Sequence, residues 1–401
     1  MKIPVYLSRP GLTSALGSGL QTHINALLTL AEHSPLTFSD EWVKNKNHAF
    51  GMVKEPLRPF SDGLPTHQQS RNNQLLWHAL EQIEPLIEAA KARYGSERIA
   101  VVIGTSTSGV DENIPMFEQA AQGVAWEELT FTQTQQLMAA PAEFVVEAYG
   151  LHNLHYVVST ACTSGARALI SAARLLRAGL CDAVICGGVD TLSPLTVNGF
   201  AALEVLSDGL ANPFSTNRDG INIGEAAAVF VMTRDADFDG DMQLLGYGAS
   251  SDAYHMSSPR PDGLGAIQAF QTALNHAGLS ADDIGWINLH GTGTLHNDSM
   301  ESIAVAEVFG SNIPCTSTKP QTGHTLGAAG AIEAAFAWGI AHPHYNPSGK
   351  LPPQWWDKAA DAHLPAIALT DSESCWPSEK RIAASSSFAF GGSNCVLIIG
   401  A

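Results

Sequence analysis

Short, wholly apolar runs that end on glycine or small polar residues and pass directly into helical patterns recur along this chain. Ile99-Ala-Val-Val-Ile103 leads into the corner Gly104-Thr-Ser-Thr-Ser-Gly109, Ala183-Val-Ile-Cys-Gly187 precedes a helical stretch near 194–203, and Ala226 to Met232 closes the series. A strand without polar alternation is buried on both faces, and such strands alternating with helices read as an α/β fold. From Gln243 the order restarts: a strand to about Ala249, a helix near 264–277, the strand Trp286-Ile-Asn-Leu289 and a helix near 298–308. In both halves a strand ends at a reactive-looking turn that opens a helix, at Ser159–Gly165 and at Ser317–Gly330. This pattern predicts a duplication, with halves at 1–242 and 243–401 packed so that both turns reach one central site.

The remaining segments fit that frame. Helical periodicity over 70–94 is expected to bend at Pro85 and stop at Gly95. Helical stretches near 112–122, 131–137 and 141–149 form an insertion that reads as a cap over a pocket. The Pro-, His- and Trp-rich segment 341–358 reads as a solvated connection, and the chain closes with strand, Gly-Gly turn and strand over 381–399. A net charge of −18 argues against nucleic acid or an anionic membrane as a general partner. Six irregularly spaced cysteines show neither a disulfide framework nor CxxC metal pairs, which points to a reducing cytoplasm. No apolar run is long enough to span a bilayer, and Pro4 interrupts the N-terminal apolar stretch, so neither a membrane span nor a signal peptide is expected.

Three residues carry the chemistry. Cys162 lies where His155-Tyr-Val-Val-Ser-Thr160 turns into a helical pattern containing Leu169, Ile170, Ala173 and Leu176. A thiol at a helix N-terminus meets free N–H groups and the positive end of the helix dipole, which are expected to lower its pKa and make it nucleophilic. His290 sits in Asn288-Leu-His-Gly-Thr-Gly-Thr294 and His324 in Thr318-Lys-Pro-Gln-Thr-Gly-His-Thr-Leu-Gly-Ala-Ala-Gly330. Each alone reads equally well as a turn histidine, and Cys162 alone as a small buried hydrophobe. Jointly they suggest acyl transfer. A zinc site from His290 and His296 lacks the further ligands that zinc requires, so no metal is expected.

Taken together, Thr160 to Gly165, His290-Gly-Thr-Gly-Thr294 with Asn297-Asp298, Lys319 to His324 with Gly327 to Gly330, and Phe388 to Asn394 resemble the elongating, decarboxylating β-ketoacyl-acyl carrier protein synthases. The resemblance runs nearly end to end and implies the thiolase-like five-layered αβαβα fold, usually dimeric. It implies that Cys162 accepts the acyl chain, with the oxyanion between the N–H groups of Cys162 and Phe390. It implies further that His290 and His324 hold the enolate of malonyl carrier protein and that Lys319 and Glu333 form an organising ion pair. Thr292 and Thr294 would meet the pantetheine arm, Asp298 and Glu301 would support the same loop, and Phe390 would gate the acyl chain, with Phe388 nearer the core. No cofactor is implied, since the phosphopantetheine of the carrier protein belongs to the substrate. The implied partners are that carrier and a second subunit, identical or a related ketosynthase.

Two departures stand out. The corner Thr105-Ser106-Thr107-Ser108 is more polar than the family's usual acyl-pocket sequence, with Thr107 nearest the chain-length position, which suggests an unusual acyl group. Ser207-Asp-Gly-Leu-Ala-Asn-Pro-Phe214 is short and lacks basic residues for an acidic carrier, leaving Lys54, Arg58 and Arg71 as substitutes. The products considered are fatty-acid-like, polyketide or aryl-polyene chains. The competing readings are a non-catalytic chain-length partner, which usually lacks the cysteine, and a thiolase or Cys-His-Asn starter enzyme, which two histidines disfavour.

Overall fold

The computed structural model describes residues 3–30, 33–60 and 64–401. In the first half, strands β1 (Tyr6–Leu7), β2 (Ile99–Gly104), β3 (His155–Val158), β4 (Ala183–Asp190) and β5 (Ala226–Thr233) lie in the order β1-β5-β4-β2-β3. In the second, β6 (Gln243–Ser251), β7 (Trp286–Asn288), β8 (Pro314–Thr316), β9 (Ala383–Ala389) and β10 (Ser393–Gly400) lie in the order β6-β10-β9-β7-β8. Each half has two antiparallel pairings followed by two parallel ones. The two sets thus repeat one topology although their residues differ, and they touch at their first strands through Tyr6 and Gln243.

Helices fill three layers around these strands. Helices α1 (Arg71–Glu81), α2 (Glu84–Tyr94) and α3 (Ala140–Tyr149) cover the outer face of the first sheet, packing Leu76, Ile87 and Phe144 on Val101, Ile103 and Ile185. Helix α4 (Ser164–Arg177) follows the Cys162 turn. On the far side, α5 (Leu264–Ala277) and α6 (Leu295–Phe309) place Phe270 and Val305 on Ile287 and Val396. Helix α7 (Ala329–Ala341) and α4 lie between the sheets and share one core with the inner faces of both. Every residue of α7 is buried, as a helix apolar on all sides requires. The result is the five-layered thiolase-like α/β fold.

Close approach of the two central helices brings both turns to one place. A Cβ on Gly165 would lie 2.8 Å from the Ala331 amide nitrogen, and one on Gly330 2.6 Å from the Ala166 Cβ. No larger residue fits at either position without separating the helices. Their first turns therefore touch, which sets Cys162, two residues before α4, beside His324, five residues before α7.

Three expectations need correction. The helix over 70–94 is two helices broken at Gln82–Ile83, and Pro85 sits in the first turn of α2, where its missing N–H costs no hydrogen bond. The insertion forms short helices, including Ile114–Ala121 and Gln133–Gln136, but none of residues 110–137 lines the Cys162 cleft; it instead exposes Phe117, Trp126 and Phe131. The connection 341–358 is partly interior: Leu351 and Gln354 are buried, and Gln354 Oε1 accepts from the Ser317 N–H at 2.8 Å.

Candidate active site

Strand β3 ends at Val158, and the chain reaches α4 through a turn in which Ala161 takes φ +51°. A left-handed alanine costs roughly 1–3 kcal/mol and persists only where its surroundings hold it. They do so here. Ser164 Oγ donates to the Ala161 carbonyl at 2.6 Å and accepts from the Thr160 N–H at 2.9 Å, while Thr163 Oγ1 donates to the Thr160 carbonyl at 2.8 Å. Cys162 is thereby presented at the head of the helix, buried, with its sulfur toward the second half.

The resting thiol is not acidic, contrary to the expectation from helix position. Burial pushes its pKa up to about 12, opposed by the Lys319 charge and by hydrogen bonds from the backbone of Phe390 and of Cys162 itself, and reinforced by Asp190. Desolvation of a thiolate outweighs the helix end. Alkylation of Cys162 by iodoacetamide in the ligand-free protein, followed by peptide mass spectrometry, is therefore expected to have a pH midpoint clearly above the ~8.5 of a free thiol. A midpoint below 8 would contradict this account of the site.

Both histidines face that sulfur. His324 Nε2 lies 3.0 Å from Cys162 Sγ, and the rings of His290 and His324 are 5.2 Å apart at 86°. Desolvation, with the Lys319 charge second, holds both imidazoles well below the usual histidine range, so they are neutral. In a neutral pair the thiol donates to Nε2. Nδ1 of each ring is buried without a partner among the described residues, which leave neither tautomer locked. Glu301 shapes the His290 loop by accepting from the N–H groups of His290 at 2.8 Å and Gly291 at 2.7 Å. Asp298 supports the same loop by accepting from Phe214 and Gly293.

Lys319 Nζ donates to Glu333 Oε1 at 2.5 Å, and both side chains are buried. Burial pushes Glu333 up to about 7 against the pull of the lysine. Sγ of Cys162 and one nitrogen from each histidine lie within 4.8 Å of one another, close enough to hold a metal ion. The ammonium of Lys319, whose charge acts on all three, repels a cation and makes the set a poor metal site.

A cleft of about 660 Å³, its open mouth included, leads to the sulfur past Thr292, Thr294, His296, Phe388 and Phe390. Thr292 and Thr294 share a hydrogen bond at 3.0 Å, and Thr294 also caps α6 by accepting from the Asn297 N–H. Phe388 is buried against the His290 ring, at 5.9 Å between centroids. Phe390 is half-buried and packs on Phe200 at 5.7 Å. A second recess at Cys162 is lined by Ser106, Ala161, Thr196, Phe200 and Leu326.

Some expected residues sit differently. Thr107 lies at the corner, but its hydroxyl donates to Asp190 at 2.9 Å and is not free for an acyl group. Thr105 and Ser106 also turn their hydroxyls to Asp190, so the corner is less polar toward the recess than its sequence suggests. Arg58 pairs with Glu81 and Arg71 with Glu225, which leaves little free charge at these docking substitutes; Lys54 donates to the Pro35 carbonyl. Phe200, Asp190 and Gln354 were not singled out from sequence. Only Asp190 carried a signal there, as a carboxylate ending an apolar strand at the edge where α/β folds place their sites.

Comparison with known proteins now decides the family. Residues 41–237 match the β-ketoacyl synthase N-terminal domain and residues 242–344 its C-terminal domain. The chain belongs to the β-ketoacyl synthase family. It is 30% identical to 3-oxoacyl-[acyl-carrier-protein] synthase 2 of Rhizobium meliloti over 98% of both chains. The match to a putative mitochondrial 3-oxoacyl-[acyl-carrier-protein] synthase of Schizosaccharomyces pombe is 34% identical and spans 65% of that protein and of this chain. Among solved structures, a chain from the complex of a ketosynthase (ApeO) with its chain length factor (ApeC), from Xenorhabdus doucetiae, is 43% identical with a TM-score of 0.91 and covers 99% of this chain and 98% of that one. This β-ketoacyl synthase is accordingly an acyltransferase. Among its described residues no helix is long and apolar enough to cross a membrane.

Proposed function

We propose that this β-ketoacyl synthase condenses an acyl thioester with malonyl-acyl carrier protein, with Cys162 as nucleophile. The 3.0 Å contact between Cys162 Sγ and His324 Nε2, with His290 beside it, carries the reading. As the sulfur attacks the acyl carbonyl, its proton passes to His324, which offsets the high pKa of the resting thiol. The oxyanion accepts from the N–H groups of Cys162 and Phe390, the groups that already act on the sulfur. The carbon–sulfur bond to the pantetheine breaks and its thiol leaves with the proton.

Malonyl carrier protein then binds. The bond to its carboxylate breaks, carbon dioxide leaves, and the electron pair moves onto the thioester as an enolate. Its oxygen accepts from the N–H groups of His290 and His324, and the unlocked Nδ1 of His324 leaves its Nε2 free to carry a proton once the thiol is acylated. The enolate carbon attacks the Cys162 thioester, the carbon–sulfur bond breaks, Cys162 leaves as a thiolate that takes up a proton from solvent, and a 3-oxoacyl chain two carbons longer forms. Thr292 and Thr294, at the cleft wall, suit the pantetheine arm. The arm belongs to the substrate, so the reaction needs no separate cofactor.

A non-catalytic chain-length partner is the competing reading, since the similar solved complex contains such a factor. The presence of Cys162, His290 and His324 in one cluster, with the Lys319 charge acting on all three, favours catalysis. The carrier protein docks at the cleft mouth in this reading, and a second subunit, a copy of the chain or a related ketosynthase, covers the exposed Phe117, Trp126 and Phe131. Unpaired cysteines suit the cytoplasm. The product is a fatty-acid-like or secondary-metabolite chain, polyketide or aryl polyene; the kinship with a polyketide synthase ketoacyl synthase subunit supports the polyketide member of that set. Malonyl-carrier decarboxylation and intact-mass analysis test the proposal. His324→Ala is expected to lose at least ~10²-fold in decarboxylation, the scale of one oxyanion donor, and to acylate Cys162 more slowly, since the thiol loses its proton acceptor. Full decarboxylation by that variant would defeat the assignment.

A further inference from the structure

Asp190 ends β4, is fully buried, and stands outside the cysteine and histidine group. Its Oδ1 accepts from Thr105 Oγ1 at 2.6 Å, Ser106 N at 2.8 Å, Thr107 N at 3.1 Å and Thr107 Oγ1 at 2.9 Å. Its Oδ2 accepts from the Gly327 N–H at 2.6 Å and from the Ser106 hydroxyl. Three backbone N–H groups and three hydroxyls converge on its two oxygens and favour the carboxylate against the burial that raises its pKa.

The donors come from two places that matter. Ser106 lines the recess at Cys162 in the first half of the fold. Gly327 belongs to the second half, three residues after His324, in a turn where Leu326 takes φ +48°. A Cβ at Gly327 would lie 2.6 Å from Asp190 Oδ2 and 2.7 Å from the Ser106 amide nitrogen. Recess wall, carboxylate and histidine turn are therefore in contact with no intervening side chain.

We propose that Asp190 is a positioning residue that ties the acyl recess to the His324 turn, so that the wall of one and the register of the other are set together. This rests on the condensing-enzyme reading above. A carboxylate suits the task because it accepts from both sides at once. An asparagine in its place has one acceptor oxygen, and its amide turns a donor toward an existing donor. The charge has a second consequence, since Asp190 raises the Cys162 thiol against Lys319, with the neutral His290 and His324 as the other titratable groups at the sulfur.

Asp190→Asn in the full chain, with its folding checked by thermal melt, tests this. Malonyl-carrier decarboxylation is expected to fall at least ~10-fold in kcat with KM changed less than about threefold, a pattern of lost geometry at bound substrate. The alkylation midpoint of Cys162 is expected to move to lower pH, by up to roughly one unit, because a negative neighbour has been neutralised. Ser106→Ala keeps the charge and removes one tie; it is expected to lower kcat less and to leave the midpoint in place. A folded Asp190→Asn with parental kcat overturns the proposal. Should that variant not fold, parental kcat in a Ser106→Ala, Thr107→Val double variant does so instead. If the unsubstituted protein does not decarboxylate, the condensing reading fails; an unmoved midpoint in Asp190→Asn then also removes Asp190 from the site, whereas a shift to lower pH retains it there.

Discussion

Replacing Cys162 with alanine is expected to lower condensation by at least ~10³-fold, to the level left when a covalent nucleophile is removed from an otherwise intact site. Lys319 is engaged by Glu333 and offers no free amine in its place. The fold should persist, because the sulfur's closest polar contact is His324 and α4 is anchored by Leu169, Ala173 and Leu176 in the shared core. Intact-mass analysis after incubation with acyl-carrier protein should find no adduct. A variant that condenses at the parental rate would show that the chain does not work through Cys162.

Breaking the buried ion pair is expected to have the largest effect on stability. Lys319→Ala leaves Glu333 buried at 2% exposure with both carboxylate oxygens unpaired, since Oε2 already lacks a partner among the described residues. Removing one member of such a pair typically costs about 3–5 kcal/mol, which a denaturant melt resolves easily. Activity should fall as well. The lysine charge favours the Cys162 thiolate and adds to the desolvation that keeps both histidines neutral, so without it the thiol is less reactive and the imidazoles protonate at higher pH. The acid limb of the decarboxylation profile should therefore move upward in pH. Lys319→Met with Glu333→Leu removes both charges together, and it should recover most of the lost stability while activity stays low. Recovery of both would make the pair a packing feature with no electrostatic role.

Much of this protein was legible before folding. Unbroken apolar strands such as Ile99 to Ile103 can only be buried on both faces, and the repeated order from Gln243 anticipated two halves with one topology. Cys162, His290 and His324 stood out because each sits among glycines and threonines at the end of a strand, where backbone geometry leaves a side chain free to react. Local pattern sufficed for these, since periodicity and turn chemistry act over a few residues.

Other features depended on contacts between distant segments. Helix position, which favours a lower thiol pKa, is local, whereas the burial that pushes it up to about 12 exists only once the chain is packed. Thr107 looked like a pocket residue until Asp190, 83 positions away, claimed its hydroxyl. Asp190, Gln354 and Phe200 act through partners far along the chain, and no spacing rule connects them. The amino-acid order alone determined which elements form and which groups can react. The packing of α4 on α7 decided what those groups become, because burial and charge are properties of an environment that no single segment carries.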